Sequence, residues 1–243
     1  MEKAAREAKS RTSWTEPQAA YETALQGLVD AVLSDETFRR ELESFVATVR
    51  DAGRTYSLGQ VLLKLTCPGV PDIYQGAELW DLSLVDPDNR RPVDFALRRR
   101  LLGELEGLPV ATVMARADEG LPKLWLITRA LGLRRARPAP FGPDGAYTPL
   151  VVEGPGADQV VAFARGTEVV TVVPRFLLRR RGEWGTTRVV LPEGAWRNEL
   201  TGEDVAGGPA DVGRLLAKFP VALLSRAGST GRPGSGRAAT TAG

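Results

Sequence analysis

The spacing of apolar residues changes along the chain, from a helical period in the first part to short apolar runs in the last. In the first part, apolar residues recur three or four positions apart, which is the spacing of one helix face. This pattern predicts a helix over 2–10, a second one started by Pro17, a third capped by Ser34 and ended by Gly53, and another from Ser57. Apolar stripes of this kind usually pack into a hydrophobic core, and we expect that role here.

Two further helices and a set of short β segments follow. One helix is predicted from Asp94 to Leu105, and another from Pro122 to the basic run 134–137, which we interpret as a solvated helix end and not as a nucleic-acid patch. From Tyr147 onward, short apolar runs alternate with Gly- and Pro-containing turns, which is typical of antiparallel β structure. The predicted strands are 147–152, 159–164, 168–173, 187–191, 195–200 and 215–225.

The stretch 68–95 carries the candidate chemistry. It opens on a Pro-Gly-Val-Pro turn, continues through a predicted short strand at 72–74, and becomes a polar loop after Gly76. A strand, a glycine and a polar loop with an aromatic residue are typical of a βα loop at the functional end of a barrel. Sugar hydroxyls need polar partners, and pyranose rings pack on aromatic planes. The candidate substrate-binding residues are Tyr74, Gln75, Glu78, Trp80, Asp86, Asp88, Asn89, Arg90 and Arg91.

A structural interpretation of these residues stays open beside the functional one. The Asp-Pro-Asp-Asn segment 86–89 is also a good turn sequence, and Arg90 and Arg91 could form a solvated ion-pair patch. Trp14 is open in the same way, because it lies among Ser and Thr outside the helical stripe. It could be a sugar platform or a packing residue, and we favour packing.

The order of residues in the stretch resembles the α-amylase superfamily of glycoside hydrolases. Gly69-x-Pro71-x-Ile73-Tyr74-x-Gly76-x-Glu78 is similar to the last-strand motif of that superfamily, and Asp86-x-Asp88-Asn89-Arg90-Arg91-Pro92 to the loop that follows it in glucoside-transferring members. The longer match over 72–95 resembles one enzyme family within it, the maltooligosyltrehalose synthases. Three further segments resemble the same family: Lys3-Ala4-x-Arg6-Glu7-Ala8-Lys9, Thr12-Ser13-Trp14 with Pro17-x-x-x-Tyr21-Glu22, and Trp196-x-x-x-Leu200-Thr201-Gly202.

The resemblance implies an isomerase that moves a glucosyl group within one maltooligosaccharide, from the reducing-end α-1,4 bond to an α,α-1,1 bond. Such retaining chemistry needs two carboxylates about 5 Å apart. In the superfamily, the nucleophile Asp, the acid Glu and a third Asp follow strands four, five and seven, and the third lies in a His-Asp motif. Because this chain has no histidine and its match begins after that motif, no catalytic residue is assigned. No metal or cofactor is expected.

The resemblance also implies the fold class, α/β plus all-β. The expected architecture is the C-terminal end of a (β/α)8 TIM barrel followed by an antiparallel β-sandwich. The expected divisions are a barrel end at 1–110, a connecting helix and linker at 111–146, a β-sandwich at 147–227 and a disordered tail at 228–243. One strand cannot close a barrel, so we expect the other seven to precede Met1 and the chain alone to be inactive. We expect Phe38, Phe45 and Leu62 to face a barrel wall outside the chain.

The amino-acid composition excludes several kinds of catalytic and metal site. Without histidine and with Cys67 as the single cysteine, the chain can hold no Ser-His-Asp or Cys-His nucleophile, no histidine or thiolate zinc site and no internal disulfide. The net charge of +2 gives no strong attraction to nucleic acid or membrane, and no apolar run approaches a membrane span. The expected partner is a maltooligosaccharide, and the expected location is cytoplasmic. The alternative hypothesis is a non-catalytic carbohydrate-binding or scaffold protein that uses the β domain alone.

Overall fold

Helices come first along the chain and strands follow. The computed structural model describes residues 1–83, 90–180 and 183–228. The α-helices are α1 (Glu2–Ala8), α2 (Ala19–Ser34), α3 (Glu36–Thr66), α4 (Phe95–Glu104), α5 (Val110–Ala115), α6 (Leu121–Ala136), α7 (Leu177–Arg180) and α8 (Val212–Leu215). The strands are β1 (Tyr147–Pro149), β2 (Val152–Glu153), β3 (Val160–Arg165), β4 (Val169–Pro174), β5 (Arg188–Asn198), β6 (Asp204–Asp211) and β7 (Ala222–Arg226). Short 3-10 turns occupy Ala117–Glu119, Ala139–Phe141 and Ala157–Gln159.

The chain divides into two compact units, Met1–Asp51 and Ala52–Gly243. The domain boundaries expected from the sequence, after residues 110 and 146, stay a prediction. The tail expected to be disordered lies almost wholly outside the described residues, which end at Gly228. No helix in the described ranges is both long and apolar enough to cross a lipid bilayer.

In the first unit, an ion pair joins α1 to α2. The Arg6 guanidinium donates to both oxygens of Glu22, at 2.8 and 2.7 Å, and the Thr12 hydroxyl donates to the same carboxylate at 2.6 Å. These bonds, with the one from Arg6 foremost, lower the pKa of Glu22 to about 2. Trp14 packs one face near the Arg6 guanidinium, 4.9 Å from the ring centroid, but is 56% exposed. Trp14 thus contacts Arg6 but is more than half exposed, and the preference for packing over a sugar platform stays a prediction.

Helix α3 corrects the prediction of two helices broken at Gly53. Its N-terminal cap is Asp35 and not Ser34, because the Asp35 carboxylate accepts from the Phe38 N–H at 2.7 Å. The helix then continues through Gly53. A glycine in a helix interior costs only about 1 kcal/mol relative to alanine. Burial of Leu58 and other apolar residues after the glycine offsets that cost.

Large apolar side chains of α2 and of the first part of α3 are exposed. Leu28 is 60% exposed, Leu33 54%, Phe38 41% and Phe45 63%. Phe38 and Phe45 are thus exposed, and the expectation that they face a barrel wall outside the chain stays a prediction. For Leu62 the expectation was wrong, because its side chain is fully buried in the core of the second unit.

We expect the purified chain to associate through these exposed side chains, since exposed apolar surface promotes self-association. Phe45→Lys should lower hydrophobic-dye binding and reduce concentration-dependent light scattering. Glu43→Lys places the same side chain at a nearby exposed polar position and serves as the control. Equal dye binding and scattering by the wild-type chain and both variants would show that the Phe45 surface does not drive association.

The strands form one antiparallel sheet in the order β1-β3-β4-β7-β5-β2. The remaining strand, β6, pairs with β5. β4 and β7 are central, and alternate residues of β4 enter two different cores. Val169 and Val173 pack with the helices α3, α4 and α6, whereas Val170 and Val172 pack with β5 and α8. The prediction of antiparallel β structure after Tyr147 is thus confirmed. Among the described residues, the strands belong to a single connected sheet and not to two separate ones.

Three predicted β segments differ from the expectation. The segments 187–191 and 195–200 merge into the single strand β5, which bulges between Leu191 and Ala195. The predicted strand 215–225 begins too early, because the Asp211 side chain caps the short helix α8 by accepting from the Arg214 N–H at 2.8 Å. Within the predicted segment 215–225, the extended residues are those of β7, which begins at Ala222.

The Gly-Gly-Pro sequence at 207–209 is one of the Gly- and Pro-containing segments that we interpret as turns from the sequence, but it lies inside β6 (Asp204–Asp211). A Cβ on Gly207 would come within 2.6 Å of the Pro192 carbonyl oxygen and 2.8 Å of the Gly194 nitrogen. The glycine is needed for this close approach of two strands at the bulge, and not for reversing the chain.

The predicted strand at 72–74 is also wrong. Residues 70–74 have no regular secondary structure, and 75–78 form a turn. A strand requires a neighbour for its backbone hydrogen bonds, and none of the described strands precedes Tyr147.

Candidate functional site

The described part of the candidate stretch is an irregular segment, residues 70–83, which we call the candidate loop. It contains Gly76, whose φ of +91° is accessible to few residues other than glycine. Side chains and backbone from the second unit hold this loop at three points. These contacts come from α4, from the start of α6 and from the 3-10 turn Ala117–Glu119.

The first contact is made by Arg98 of α4. This helix begins at the Asp94 cap, whose carboxylate accepts from the Leu97 N–H at 2.8 Å. One helical turn beyond the cap, Arg98 Nε donates to Glu78 Oε2 at 3.0 Å, and one terminal nitrogen donates to the Gly76 carbonyl. The Arg98 and Glu78 side chains are only 18% and 28% exposed. One guanidinium therefore binds both a side chain and a backbone carbonyl of the candidate loop.

The second contact lies at the start of α6. The Lys123 ammonium donates to the Leu79 carbonyl at 3.0 Å, and Lys123 is buried, with 7% of its surface exposed. This burial is the main cause that lowers the pKa of Lys123, and nearby Lys64 lowers it further. Gly120, with φ +79°, lies so close that a Cβ there would be 3.0 Å from both the Leu79 Cβ and the Trp80 nitrogen.

The third contact holds Trp80. Its indole N–H donates to the Ala117 carbonyl at 2.5 Å. The Arg54 guanidinium lies 6.0 Å from the ring centroid and pairs with Asp118 at 2.5 Å. The indole of Trp80 is therefore fixed at its polar edge and contacted on a face, with part of the side chain exposed.

The predicted binding residues fall into three groups in the structure. Tyr74, Gln75, Arg90 and Arg91 are exposed. Glu78 and Trp80 instead bind protein groups, as described above. Asp86, Asp88 and Asn89 lie outside the described residues. The assignment of the nine to sugar binding stays a prediction, and for Glu78 and Trp80 the structure adds a role in holding the loop.

The sequence reasoning missed the groups that bind the loop. Lys123 had a usable signal, since it is the one charged residue in the otherwise apolar run 121–127. Arg98 gave a weaker one, as one of three consecutive arginines at 98–100 of which the other two are exposed. Gly120 had none, because a close approach between distant segments leaves no local pattern.

Gly120→Ala should destabilise the chain by about 1–3 kcal/mol, because alanine is strained at this φ and its Cβ would press on the loop. The urea unfolding midpoint should fall, and amide exchange at residues 79 and 80 should become faster. Gly103→Ala is the matched control: Gly103 lies within α4 with open space around it, so alanine there should be neutral or stabilising. Equal effects of both changes would contradict a special role for Gly120.

No family model matches the sequence, whereas individual proteins and structures do. Two putative maltooligosyl trehalose synthases, from two strains of Mycobacterium tuberculosis, are 43% identical to it over 226 residues. The structure of maltooligosyltrehalose synthase from Arthrobacter ramosus matches at 41% identity with a TM-score of 0.81. The resemblance to maltooligosyl trehalose synthase is confirmed.

The matches cover most of this chain and a minor part of each relative. The alignment with the mycobacterial synthases spans 93% of this chain and 27% of their length, and the Arthrobacter structure is matched over 92% and 29%. A hypothetical maltooligosyl trehalose synthase from Sulfolobus tokodaii matches at 28% identity with a TM-score of 0.67, over 91% of this chain and 27% of that one. The chain therefore spans about 27% of the length of the curated relatives.

Proposed function

We propose that this chain is the C-terminal portion of a maltooligosyl trehalose synthase, which isomerises the reducing end of a maltooligosaccharide. The observation that carries the proposal is the 41% identity and TM-score of 0.81 over 92% of the chain. In this proposal the helices belong to the end of a (β/α)8 barrel, and the curled sheet is the β domain that follows it. The candidate loop then lies at the rim of the glucose-binding site.

The proposed reaction has two steps. An enzyme carboxylate displaces the reducing-end glucose while the acid/base group gives its proton to the leaving O4, so that the α-1,4 bond breaks and a glycosyl-enzyme bond forms. The freed glucose turns in the site, and its anomeric hydroxyl attacks the glycosyl-enzyme and loses its proton to the acid/base group. The α,α-1,1 bond forms as the bond to the enzyme carboxylate breaks and the carboxylate is released. No water is consumed, so the product is an isomer of the substrate.

The chain's contribution in this scheme is to retain the glucose and keep water out. Water competes with glucose for the glycosyl-enzyme, and each successful attack by water converts isomerisation into hydrolysis. A loop fixed by Arg98, Lys123 and the Trp80 hydrogen bond can keep a constant rim around the freed sugar. The nucleophile and the acid/base group are proposed to belong to a part of the enzyme that this chain does not contain.

A chimera tests the proposal. Exchanging the matched 226-residue segment of a mycobacterial relative for the corresponding residues of this chain should preserve conversion of maltopentaose to its trehalose-ended isomer. The chain alone should form no isomer or hydrolysis product above a blank purified from empty vector. The relative with the segment deleted is the control. A folded chimera without isomerase activity, or an active isolated chain, would contradict the proposal.

A further inference from the structure

A groove on the surface of the second unit is separate from the contacts that hold the candidate loop. It runs between α4 and α6, has a volume of about 540 Å³ and is lined in part by Leu102, Leu105 and Trp125. A second cavity of about 240 Å³ shares Trp125, Arg129 and Glu199 with the first. The two cavities are thus adjacent, and Arg129 lies where they meet.

Arg129 is held in place by stacking. Its guanidinium lies 4.1 Å from the centroid of the Trp125 ring. Trp125 is itself fixed, because it is only 6% exposed and its indole N–H donates to the Leu200 carbonyl at 3.0 Å. The Arg129 side chain is exposed and makes no hydrogen bond or ion pair with the described residues. Its N–H donors are therefore oriented and available for a ligand in the groove.

The remaining groups of the groove favour a neutral ligand with many hydroxyls. Glu106 and Glu199 supply acceptors on the same lining as the Arg129 donors, and one Glu199 oxygen already accepts from the Ser225 hydroxyl. Arg137 also lines the groove, so two carboxylates and two guanidinium groups balance and the lining offers no excess of either charge to an ionic ligand. Leu102, which is 48% exposed, and Leu105 add an apolar wall. Donors, acceptors and an apolar strip together match the hydroxyls and the C–H faces of pyranose rings.

We propose that this groove binds a segment of an α-1,4-glucan, with Arg129 as the central hydrogen-bond donor. The choice of an α-1,4-glucan rests on the proposed function, whereas the location of the site rests on the groove itself. Such a site would hold an oligosaccharide on the chain independently of the candidate loop.

Calorimetric titration of the full 243-residue chain with maltoheptaose tests the proposal. Binding should be measurable, and Arg129→Ala should weaken it about tenfold or more, since a hydrogen bond from a charged group typically contributes that much. Arg129→Lys should also weaken it, because an ammonium does not reproduce the planar donor fork. Arg135→Ala is the matched control, an exposed arginine on the same helix outside the groove, and it should leave the affinity unchanged.

The same titration distinguishes the possible failures. Absence of maltoheptaose binding, equal binding by wild type and Arg129→Ala, or binding of inorganic phosphate in place of maltoheptaose would each overturn the proposal. The chimera assay is separate: an active chimera with no effect of Arg129→Ala on glucan binding would refute only the groove. An inactive chimera with Arg129-dependent glucan binding would refute only the proposed function.

Discussion

In the active chimera, Arg98→Ala is expected to lower isomerisation of maltopentaose about 10- to 100-fold while lowering substrate affinity far less. Arg98 binds the Glu78 carboxylate and the Gly76 carbonyl from one guanidinium. Removing it leaves a partly buried carboxylate and a carbonyl without this partner, at a cost of about 1–3 kcal/mol for each group. The candidate loop should then move away from α4.

The ratio of products gives the more specific readout for Arg98. A displaced loop should admit water, so hydrolysis should rise relative to isomerisation. Glu78→Gln should change the ratio in the same direction but less, because the amide oxygen can still accept from Arg98. Arg99→Ala is the control, since Arg99 is the neighbouring exposed arginine on α4. Wild-type rate and product ratio in Arg98→Ala would mean that the loop does not control access of water.

Arg165→Met in the isolated chain is expected to lower the free energy of unfolding by about 2–4 kcal/mol. Arg165 ends β3 and is only 2% exposed. Its terminal nitrogens donate to the Thr66 carbonyl at 2.9 Å and to the Gly145 carbonyl at 3.1 Å. Arg134 donates to the neighbouring Leu65 carbonyl at 2.8 Å. Two guanidinium groups thus bind the C-terminal carbonyls of α3, where the helix dipole favours positive charge.

Urea unfolding measures the effect of the change at Arg165. Methionine keeps an apolar stem of similar length but leaves both carbonyls without this donor. Arg165→Lys should recover only part of the loss, because one ammonium cannot reproduce the planar fork that spans the two carbonyls. Arg188→Met, at an exposed position in β5, should change the unfolding free energy by less than about 0.5 kcal/mol. If the substitutions at Arg165 and Arg188 had equal effects, the contact between sheet and helix would not be a source of stability.

The sequence predicted the elements whose stabilising contacts are periodic. The order of helices before strands and the positions of α4 and α6 follow from apolar spacing and capping residues such as Asp94. β3 and β4 follow from apolar runs between turn residues. The motifs over 69–92 and 196–202 were enough to indicate the enzyme family, because residue order in a motif needs no knowledge of packing.

Sequence signals failed where a contact between distant segments outweighs local preference. Gly53 and the Gly-Gly-Pro run of β6 have the composition of helix ends and turns, but packing beyond Gly53 and the approach of β5 to Gly207 decide otherwise. The segment 72–74 has the composition of a strand but no neighbouring strand among the described residues.

The sequence by itself determined which residues near the loop carry polar chemistry and which family they resemble. Only the tertiary structure decided that Glu78 and Trp80 hold the loop through Arg98 and Ala117, and that Arg165 binds the end of α3. The physical reason is the range of the interactions. Helical periodicity and capping act over a few residues and are visible in the sequence, whereas these hydrogen bonds join groups separated by 20, 37 and 99 positions.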